Sequence, residues 1–358
     1  MPLEQYGFSK AALEAARAQG GADDLPARVT AVHKERYALV CEKGEAYARL
    51  KASTYFNDRT EAYPTAGDYV LIRYNSTGDS VIVRTLPRRS YFARRSPERG
   101  RGEQAVAANF DAVLVMQSLN SDFNPKRLER YLALAWQSGA APVVVLTKSD
   151  LVESCESQLA AARRAAAGAE VFAVSAKTGA GMDALSFCLR PGNTVVLLGS
   201  SGVGKSSFVN ALAGREIMAV GGVREDDDKG RHTTTHRQLI LLESGVLVID
   251  TPGMRELGMW EADEGLAEAF SDVEAYLGQC RFSDCRHENE PGCAVRAAIE
   301  RGELPRERWE SYRKLQRESG YSSDQAKYLR DKEKRFKEIA KFNKRTGGKK
   351  ESARFEEP

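Results

Sequence analysis

The spacing of apolar positions changes once along this chain, near residue 105. Between residues 28 and 86, five short runs alternate apolar with polar positions, and turn residues separate them. The runs read ARVTAV, YALVCE, AYARL, DYVLIRY and SVIVRTL. Such alternation predicts half-buried strands, and five of them with intervening turns predict a small antiparallel β-barrel. The OB fold is the five-stranded form of such a barrel, although other small barrels give the same pattern.

Beyond residue 105 the apolar runs become nearly continuous and alternate with helical stretches. Examples in chain order are DAVLVMQSL, PKRLERYLALAWQSG and APVVVLTKSD. Strands of this kind are buried on both faces, so the pattern predicts a parallel sheet covered by helices. Two further strands are expected at QLILLES and GVLVID, and helices at about residues 152–167 and 182–189. This part of the chain is therefore predicted to be an α/β domain.

After Trp260 the sequence is helical and highly charged, with charged helices expected from about residue 305 to 343. The composition of the last residues is typical of disorder. The pattern divides the chain into an N-terminal extension (1–26), an OB-like β-barrel (27–90), a basic linker (91–105), an α/β domain (106–260), a helical domain (261–345) and a disordered tail (346–358).

Charge adds a hint about partners. The net charge is only +3, but residues 84–101 hold seven arginines against Glu98, and residues 327–350 hold eleven lysines or arginines against three acids. Two basic clusters indicate a polyanion such as RNA, although either could be a solvated face. The sequence has neither an apolar run long enough for a membrane span nor an apolar N-terminus typical of a secretory signal. We therefore expect a cytoplasmic protein.

A phosphate-binding loop is the most specific motif. It fits the pattern G-x-x-x-x-G-K-S, follows the strand TVVLL and opens the helix SSFVNALAG, as a P-loop requires. Its glycines let backbone N–H groups curl round phosphates, Lys205 reaches the β- and γ-phosphates, and the Ser206 hydroxyl ligates Mg²⁺. The predicted nucleotide-binding residues here are Gly199, Ser200, Ser201, Gly202, Val203, Gly204, Lys205, Ser206 and Ser207.

A second motif, D-x-x-G, ends the strand GVLVID. Asp250 at the strand end is predicted to hold Mg²⁺ through its water shell, and the amide of Gly253 to sense the γ-phosphate. The motif is weak alone, but behind a P-loop and a strand it supports a nucleoside triphosphatase.

The base is predicted to be guanine. Thr147-Lys148-Ser149-Asp150 ends the strand PVVVL and resembles the N/T-K-x-D motif of GTPases. The Asp150 carboxylate can accept both N1–H and N2–H₂ of guanine, donors that adenine lacks, which opposes an ATP-dependent kinase or ATPase. Lys148 can lie along the base. Ser175, Ala176 and Lys177 resemble the second guanine loop, although both motifs could also be plain helix caps.

The order of these motifs is unusual, because the guanine motif precedes the P-loop. The chain resembles the ribosome small-subunit-dependent GTPase A family from about residue 28 to 345, on the permuted order, the GRHTTT stretch and a C-terminal Cys/His group. The fold expected is an OB-like antiparallel barrel, a circularly permuted α/β P-loop GTPase domain (106–260) and an α-helical zinc-binding domain. The resemblance implies GTP hydrolysis stimulated by the small ribosomal subunit during its late maturation, with that subunit and its rRNA as partners. We expect a monomer.

Hydrolysis needs a group that positions water, and Met254 occupies the place of the Gln that does so in Ras-like enzymes. His232 and His236 flank the threonine run, and the resemblance favours His232, with Lys205, as catalytic. Thr234 is predicted to ligate Mg²⁺ beside Ser206 and Asp250, with Thr233 and Thr235 as alternatives. Met254 also leaves open a second function, an RNA-binding assembly factor in which GTP acts mainly as a conformational ligand.

The C-terminal Cys/His group has the ligand set of a structural zinc site. Its spacing is Cys280-x4-Cys285-x-His287-x5-Cys293. Four good ligands argue against a catalytic zinc, which keeps a position open for water, while clustered thiols without metal are the alternative. The other cysteines, Cys41, Cys155 and Cys188, are predicted to be reduced and buried.

Overall fold

A computed structural model describes residues 3–33, 36–51, 63–95, 103–120, 122–166, 168–219, 237–250 and 262–320. Among these residues, no helix has both the length and the apolar character needed to cross a bilayer.

The N-terminal domain is a closed five-stranded barrel. Neighbouring strands follow the order β1-β2-β3-β5-β4, and β4 returns to pair with β1. All pairs are antiparallel except β3 with β5, which is parallel. This order is that of the OB fold, so the barrel prediction is confirmed. The strands are β1 Asp24–Val32, β2 Tyr37–Cys41, β3 Gly44–Leu50, β4 Tyr69–Arg73 and β5 Ser80–Thr85.

An antiparallel two-stranded ribbon follows the barrel, formed by β6 (Tyr91–Arg95) and β7 (Glu103–Ala108). The segment expected as a basic linker therefore contains regular strands at both ends. Phe92 supplies the reason, because it is buried and its ring stacks on Phe110 with centroids 5.1 Å apart. The arginines around Phe92 made this segment resemble a polar linker in the sequence, so the buried ring was not predicted.

The central domain is an α/β sheet with the order β10-β9-β8-β11-β13-β12. Every pair is parallel except β12 with β13. All seven residues of β8 are buried, as expected for a strand covered on both faces. β12 also meets the barrel through one backbone pairing, Gln238 with Ala31 of β1. The strands are β8 Ala112–Ser118, β9 Ala141–Thr147, β10 Glu170–Ala173, β11 Thr194–Leu198, β12 Gln238–Leu241 and β13 Leu247–Asp250.

The helices differ from the sequence prediction in two places. The helix expected from residue 152 begins at Glu156, and the one expected over residues 182–189 is a single 3-10 turn, Met182–Leu185. Gly179 and Gly181 have positive φ angles and hold a tight loop just before that turn. The α-helices are α1 Lys10–Ala18, α2 Pro125–Gln137, α3 Glu156–Ala165, α4 Lys205–Ala213, α5 Asp263–Ala269, α6 Ser271–Glu274, α7 Ala294–Glu300 and α8 over residues 306–320. Shorter 3-10 helices lie at Leu3–Tyr6 and Ser149–Leu151.

A buried arginine joins the N-terminal extension, the barrel and the α/β domain. Arg28 of β1 has no exposed surface, and its guanidinium donates to the carbonyl oxygens of Tyr6 (2.5 Å), Gly67 (3.2 Å) and Asn109 (2.8 Å). It also lies 4.8 Å from the ring centroid of Tyr69. Since each of these carbonyls comes from a different segment, one side chain fixes three segments together.

A second buried cation joins the C-terminal helices to the α/β domain. Arg308 of α8 pairs with Glu129 of α2 at 2.9 Å and with Asp272 of α6 at 2.9 Å. Glu129 also accepts a hydrogen bond from Ser311, and Arg308 lies 4.0 Å from the ring centroid of Phe270. Both partners of the Arg308–Glu129 pair are more than nine-tenths buried, so α8 is held against α2 by a satisfied internal ion pair.

Arg28→Leu is expected to lower the free energy of unfolding by about 3–5 kcal/mol, because the Tyr6 and Asn109 carbonyl groups lose the charged donor and the Gly67 carbonyl keeps only the Asn109 side-chain amide. Urea denaturation should show a lower midpoint. The matched control is Arg17→Leu, which removes an exposed ion pair with Glu42 and is expected to change stability by about 0.5 kcal/mol or less. Equal midpoints for the two variants would contradict the conclusion that Arg28 holds the N-terminal extension, the barrel and the α/β domain together.

Candidate guanine nucleotide site and metal centre

The loop between β11 and α4 has the backbone geometry of a phosphate cradle. Gly202 and Gly204 have φ angles of +74° and +102°, and Gly204 directly precedes the first residue of α4, Lys205. A Cβ on Gly199 would come within 2.7 Å of the Met116 carbonyl oxygen, so the loop also packs too closely on β8 for a larger residue. Glycine is therefore required at these positions, and the loop leads directly into the N-terminus of α4, where backbone N–H groups can bind phosphate.

Lys205 and the first guanine motif are both tied to this loop. The Lys205 ammonium donates to the carbonyl oxygens of Gly199 (2.8 Å) and Ser200 (2.7 Å). The buried Thr147 hydroxyl donates to the Val203 carbonyl at 2.6 Å, and Lys148 Nζ donates to the Gly202 carbonyl at 2.7 Å. Thr147 thus links the first guanine motif directly to the P-loop.

The two guanine motifs meet at the carboxyl ends of β9 and β10. The Ser175 hydroxyl donates to Asp150 Oδ1 at 2.6 Å and also accepts from the backbone N–H of Thr178. The Ser175 hydroxyl lowers the pKa of the Asp150 carboxyl, and the charges of Lys177 and Lys148 act in the same direction. An ionised carboxylate with free lone pairs is the acceptor that the N1–H and N2–H₂ of guanine need. Ala176 and Lys177 follow Ser175 in the same loop, with Lys177 exposed.

Two of the ligands predicted for Mg²⁺ come from the first turn of α4 and from the end of β13. Ser206 is the second residue of α4, and Asp250 is the last residue of β13, which pairs with β11. Burial raises the pKa of the Asp250 carboxyl, and the charge of Lys205 opposes that rise. A hydroxyl and a carboxylate beside a phosphate loop fit Mg²⁺, which prefers oxygen ligands. Three of the predicted site residues, His232, Thr234 and Gly253, lie outside the described residues.

The Cys/His group converges as a zinc site requires. The ligand atoms of Cys280, Cys285, His287 and Cys293 all lie within 4.8 Å of one another. His287 Nδ1 is 3.3 Å from Cys280 Sγ and 3.5 Å from Cys293 Sγ. Three sulfurs and one imidazole at this separation fit a tetrahedral Zn²⁺, which bonds S and N at about 2.0–2.3 Å.

Elements around the group hold its loop in place. The Glu290 carboxylate accepts from the backbone N–H groups of Arg286, Glu288 and Asn289. Its own backbone N–H and these three groups lower the pKa of Glu290 to about 2. The His287 ring packs edge-on against Trp309 of α8, with centroids 5.4 Å apart. The cluster is therefore attached to the helix that also carries Arg308.

The first basic cluster is less available than its sequence indicates. Arg88 donates to both carboxylate oxygens of the fully buried Asp68 at 2.8 Å, so an internal ion pair already neutralises the charge of Arg88. Arg89 pairs with Asp111 at 3.4 Å, and Arg84 donates to the Gln19 carbonyl. Residues 96–101 and the whole second cluster lie outside the described residues.

Sequence reasoning missed Asp122, which lies at the P-loop. Its carboxylate accepts from the Ser200 hydroxyl at 3.1 Å, although the two residues are 78 positions apart. No local motif marks Asp122. Its only signal is topological, because β8 and β11 are parallel neighbours and the loops at their carboxyl ends must lie together.

Comparison with known proteins agrees with this geometry. A profile of the RsgA GTPase family matches residues 85–260. "Small ribosomal subunit biogenesis GTPase RsgA 2" of Listeria monocytogenes is 46% identical over 321 residues, covering 90% of each chain. The chain belongs to the RsgA GTPase family. A relative with the same printed name from Lactiplantibacillus plantarum is 41% identical over 348 residues, covering 97% of this chain and 95% of that one.

Solved structures give the same picture. YjeQ from Thermotoga maritima superposes with a TM-score of 0.61 at 27% identity, covering 82% of this chain and 97% of that one. YloQ, described as a circularly permuted GTPase, has a TM-score of 0.58 at 24% identity and covers 85% of this chain and 96% of that one. The predicted permuted P-loop GTPase fold of this RsgA family member is thereby confirmed.

Thr147→Val is expected to weaken GDP affinity by about tenfold, because the P-loop loses one buried hydrogen bond worth about 1–1.5 kcal/mol. Titration with a fluorescent GDP analogue measures this. The matched control is Thr194→Val, since the buried Thr194 hydroxyl has no hydrogen-bond partner among the described residues. Its affinity should equal that of the parent chain, and a similar loss in both variants would show that the Thr147 contact is not specific.

Proposed function

We propose that this protein is a GTPase that binds the small ribosomal subunit and assists its late maturation, hydrolysing GTP to GDP and phosphate with turnover that the subunit stimulates. Two observations together carry the proposal. The chain has a candidate guanine nucleotide site, and its relatives have the printed name small ribosomal subunit biogenesis GTPase. It acts in the cytoplasm as a monomer.

In this proposal the predicted site residues bind and orient the nucleotide. Asp150 accepts from the guanine edge, while Lys148 lies along the base and the loop Ser175–Lys177 meets O6. The P-loop amides and Lys205 hold the β- and γ-phosphates. Mg²⁺, when bound to Ser206, Thr234 and Asp250, neutralises charge that develops on the phosphates. His232 positions the attacking water, and the Gly253 amide contacts the γ-phosphate. The remaining nucleotide contacts come from Gly199, Ser200, Ser201, Gly202, Val203, Gly204, Ser207 and Thr147.

Ribosomal RNA is the proposed contact of the barrel. Tyr47 of β3 is 48% exposed, and Arg36 lies 4.4 Å from its ring centroid. Arg49, on the same strand as Tyr47, has a side chain that is 60% exposed. Both arginines pair with Asp79, at 2.5 Å and 2.8 Å, so the exposed ring, on which a base can stack, is the feature of this OB barrel that supports binding to unpaired RNA.

The decisive experiment measures GTP turnover by the full chain with and without purified small subunits. We expect slow basal turnover that rises by at least tenfold with subunits and stays unchanged with large subunits. ATP in tenfold excess should not compete, because adenine offers no donor pair to Asp150. Tight GTP-dependent binding to subunits without stimulated turnover would instead favour an assembly factor that uses GTP as a conformational ligand.

We further propose that Cys280, Cys285, His287 and Cys293 hold one structural Zn²⁺. Such a site contributes an apparent binding free energy on the order of 10 kcal/mol to folding, which suits a region built from short helices. The ion supplies no chemistry to GTP hydrolysis in this proposal. Its residues fix the loop that carries His287, and through Trp309 they fix the position of α8.

Elemental analysis of the purified chain is expected to give about one zinc per molecule. Cys280→Ser/Cys285→Ser should lose the zinc and lower the melting temperature, because the cross-link between the loop and α7 is lost. Cys155→Ser, which changes a thiol outside the cluster, should keep the zinc and the melting temperature of the parent chain. A zinc-free parent protein, or a double variant that keeps its zinc, would contradict the assignment.

A further inference from the structure

Ser200 of the P-loop lies between two charged groups. Its carbonyl oxygen accepts from Lys205 Nζ at 2.7 Å, and its hydroxyl donates to Asp122 Oδ2 at 3.1 Å. Both bonds are charge-assisted, a class that is roughly twice as strong as bonds between neutral groups. The peptide plane that follows Ser200 is therefore held from the backbone and from the side chain at once.

Asp122 is itself held by the first turn of α2. Arg127 pairs with the Asp122 carboxylate at 2.9 Å and also donates to the Asp122 carbonyl. The backbone N–H of Asp122 donates to the side chain of Asn120 at 3.0 Å. These contacts hold the backbone and the carboxylate of Asp122 in place.

The loop that carries Asp122 is joined to the end of β8. The buried Gln117 side chain accepts from the backbone N–H of Asn124 at 2.9 Å and donates to the Asn124 carbonyl at 3.1 Å. The Asn124 side chain in turn caps α2 by accepting from the Arg127 backbone N–H. The Gln117 side-chain amide is buried and binds both the carbonyl oxygen and the N–H of Asn124. The buried core therefore sets the position of the loop that carries Asp122 relative to the sheet.

We propose that Asp122 is a positioning residue for GTP hydrolysis, acting through the Ser200 hydroxyl on the P-loop peptide between Ser200 and Ser201. In a trans peptide the N–H points opposite to the carbonyl, so fixing the Ser200 carbonyl also fixes the Ser201 N–H. That N–H belongs to the loop that cradles the phosphates. Arg127 neutralises the carboxylate, which would otherwise repel an anionic phosphate nearby.

The inference rests on the proposed GTPase function and makes a separate claim about its geometry. Amides aimed at transition-state charge affect the chemical step more than ground-state binding. Removing the Ser200 hydroxyl should therefore lower kcat more than it changes KM. A residue that only supported the fold would instead lower the melting temperature.

The experiment compares Ser200→Ala, Ser200→Thr, Asp122→Ala and the double variant Ser200→Ala/Asp122→Ala in the full chain. We expect Ser200→Ala to lower kcat about tenfold with KM within twofold, and to speed the release of a fluorescent GDP analogue about threefold. Ser200→Thr, which keeps the hydroxyl, should restore both. Asp122→Ala should match Ser200→Ala, and the double variant should be no worse than either, because the two residues act through one bond. Ser186→Ala, at an exposed position of the same domain, is the control and should behave as the parent.

Several outcomes would overturn the inference. They are parental kcat and GDP release in Ser200→Ala, losses that multiply in the double variant, or a loss that Ser200→Thr does not restore. If Asp122→Ala fails to fold, the two Ser200 variants carry the test alone. If the parent chain hydrolyses no GTP, the proposed function fails, and the GDP release rates still decide whether Asp122 positions the loop.

Discussion

The desolvated guanidinium of Arg28 is the constraint on which the arrangement of domains depends. A buried cation must satisfy its N–H groups, and here it does so with backbone carbonyls from three segments that are far apart in sequence. One of these, Asn109, has a φ of +54° and begins the approach to β8. The neighbouring glycine, Gly67, has no space for a side chain, because a Cβ there would lie 2.1 Å from the Ala108 carbonyl oxygen. The hydrogen bonds of Arg28 and the close approach at Gly67 therefore fix the position of the barrel against the α/β domain.

The nucleotide site uses the same principle on a smaller scale. Its functional groups come from the carboxyl ends of β8, β9, β10, β11 and β13, and hydrogen bonds join the loops that follow β8, β9, β10 and β11. Thr147 links the base motif to the phosphate loop, and Ser175 links the two base motifs. The site is thus a network of side-chain hydrogen bonds between neighbouring loops, whose spacing the sheet fixes.

The features that could be predicted from the sequence are those encoded locally. The five barrel strands follow from alternation, the P-loop from its glycines and lysine, and the convergence of Cys280 with His287 from ligand spacing. The roles of His232, Thr234 and the other site residues remain predictions, as do the domain boundaries. Features that depend on distant partners could not be found this way. Arg28 reads as an ordinary strand residue, yet it contacts a carbonyl 81 positions away. Phe92 was masked by the arginines around it, and Asp122 has no motif at all.

The order of strands in the central sheet has a consequence for synthesis of the chain. When residues up to about 173 have emerged, β8, β9 and β10 can pair, but the other edge of β8 has no neighbour, because β11 begins only at Thr194. An apolar strand with an open edge is prone to pair with the wrong partner. A growing chain therefore passes through an interval in which the fully buried strand β8 has only one neighbour, and the interval ends when β11, which leads into the phosphate loop, has emerged. Circular permutation therefore makes the second neighbour of β8 and the phosphate loop emerge together, after both guanine motifs have already been synthesised.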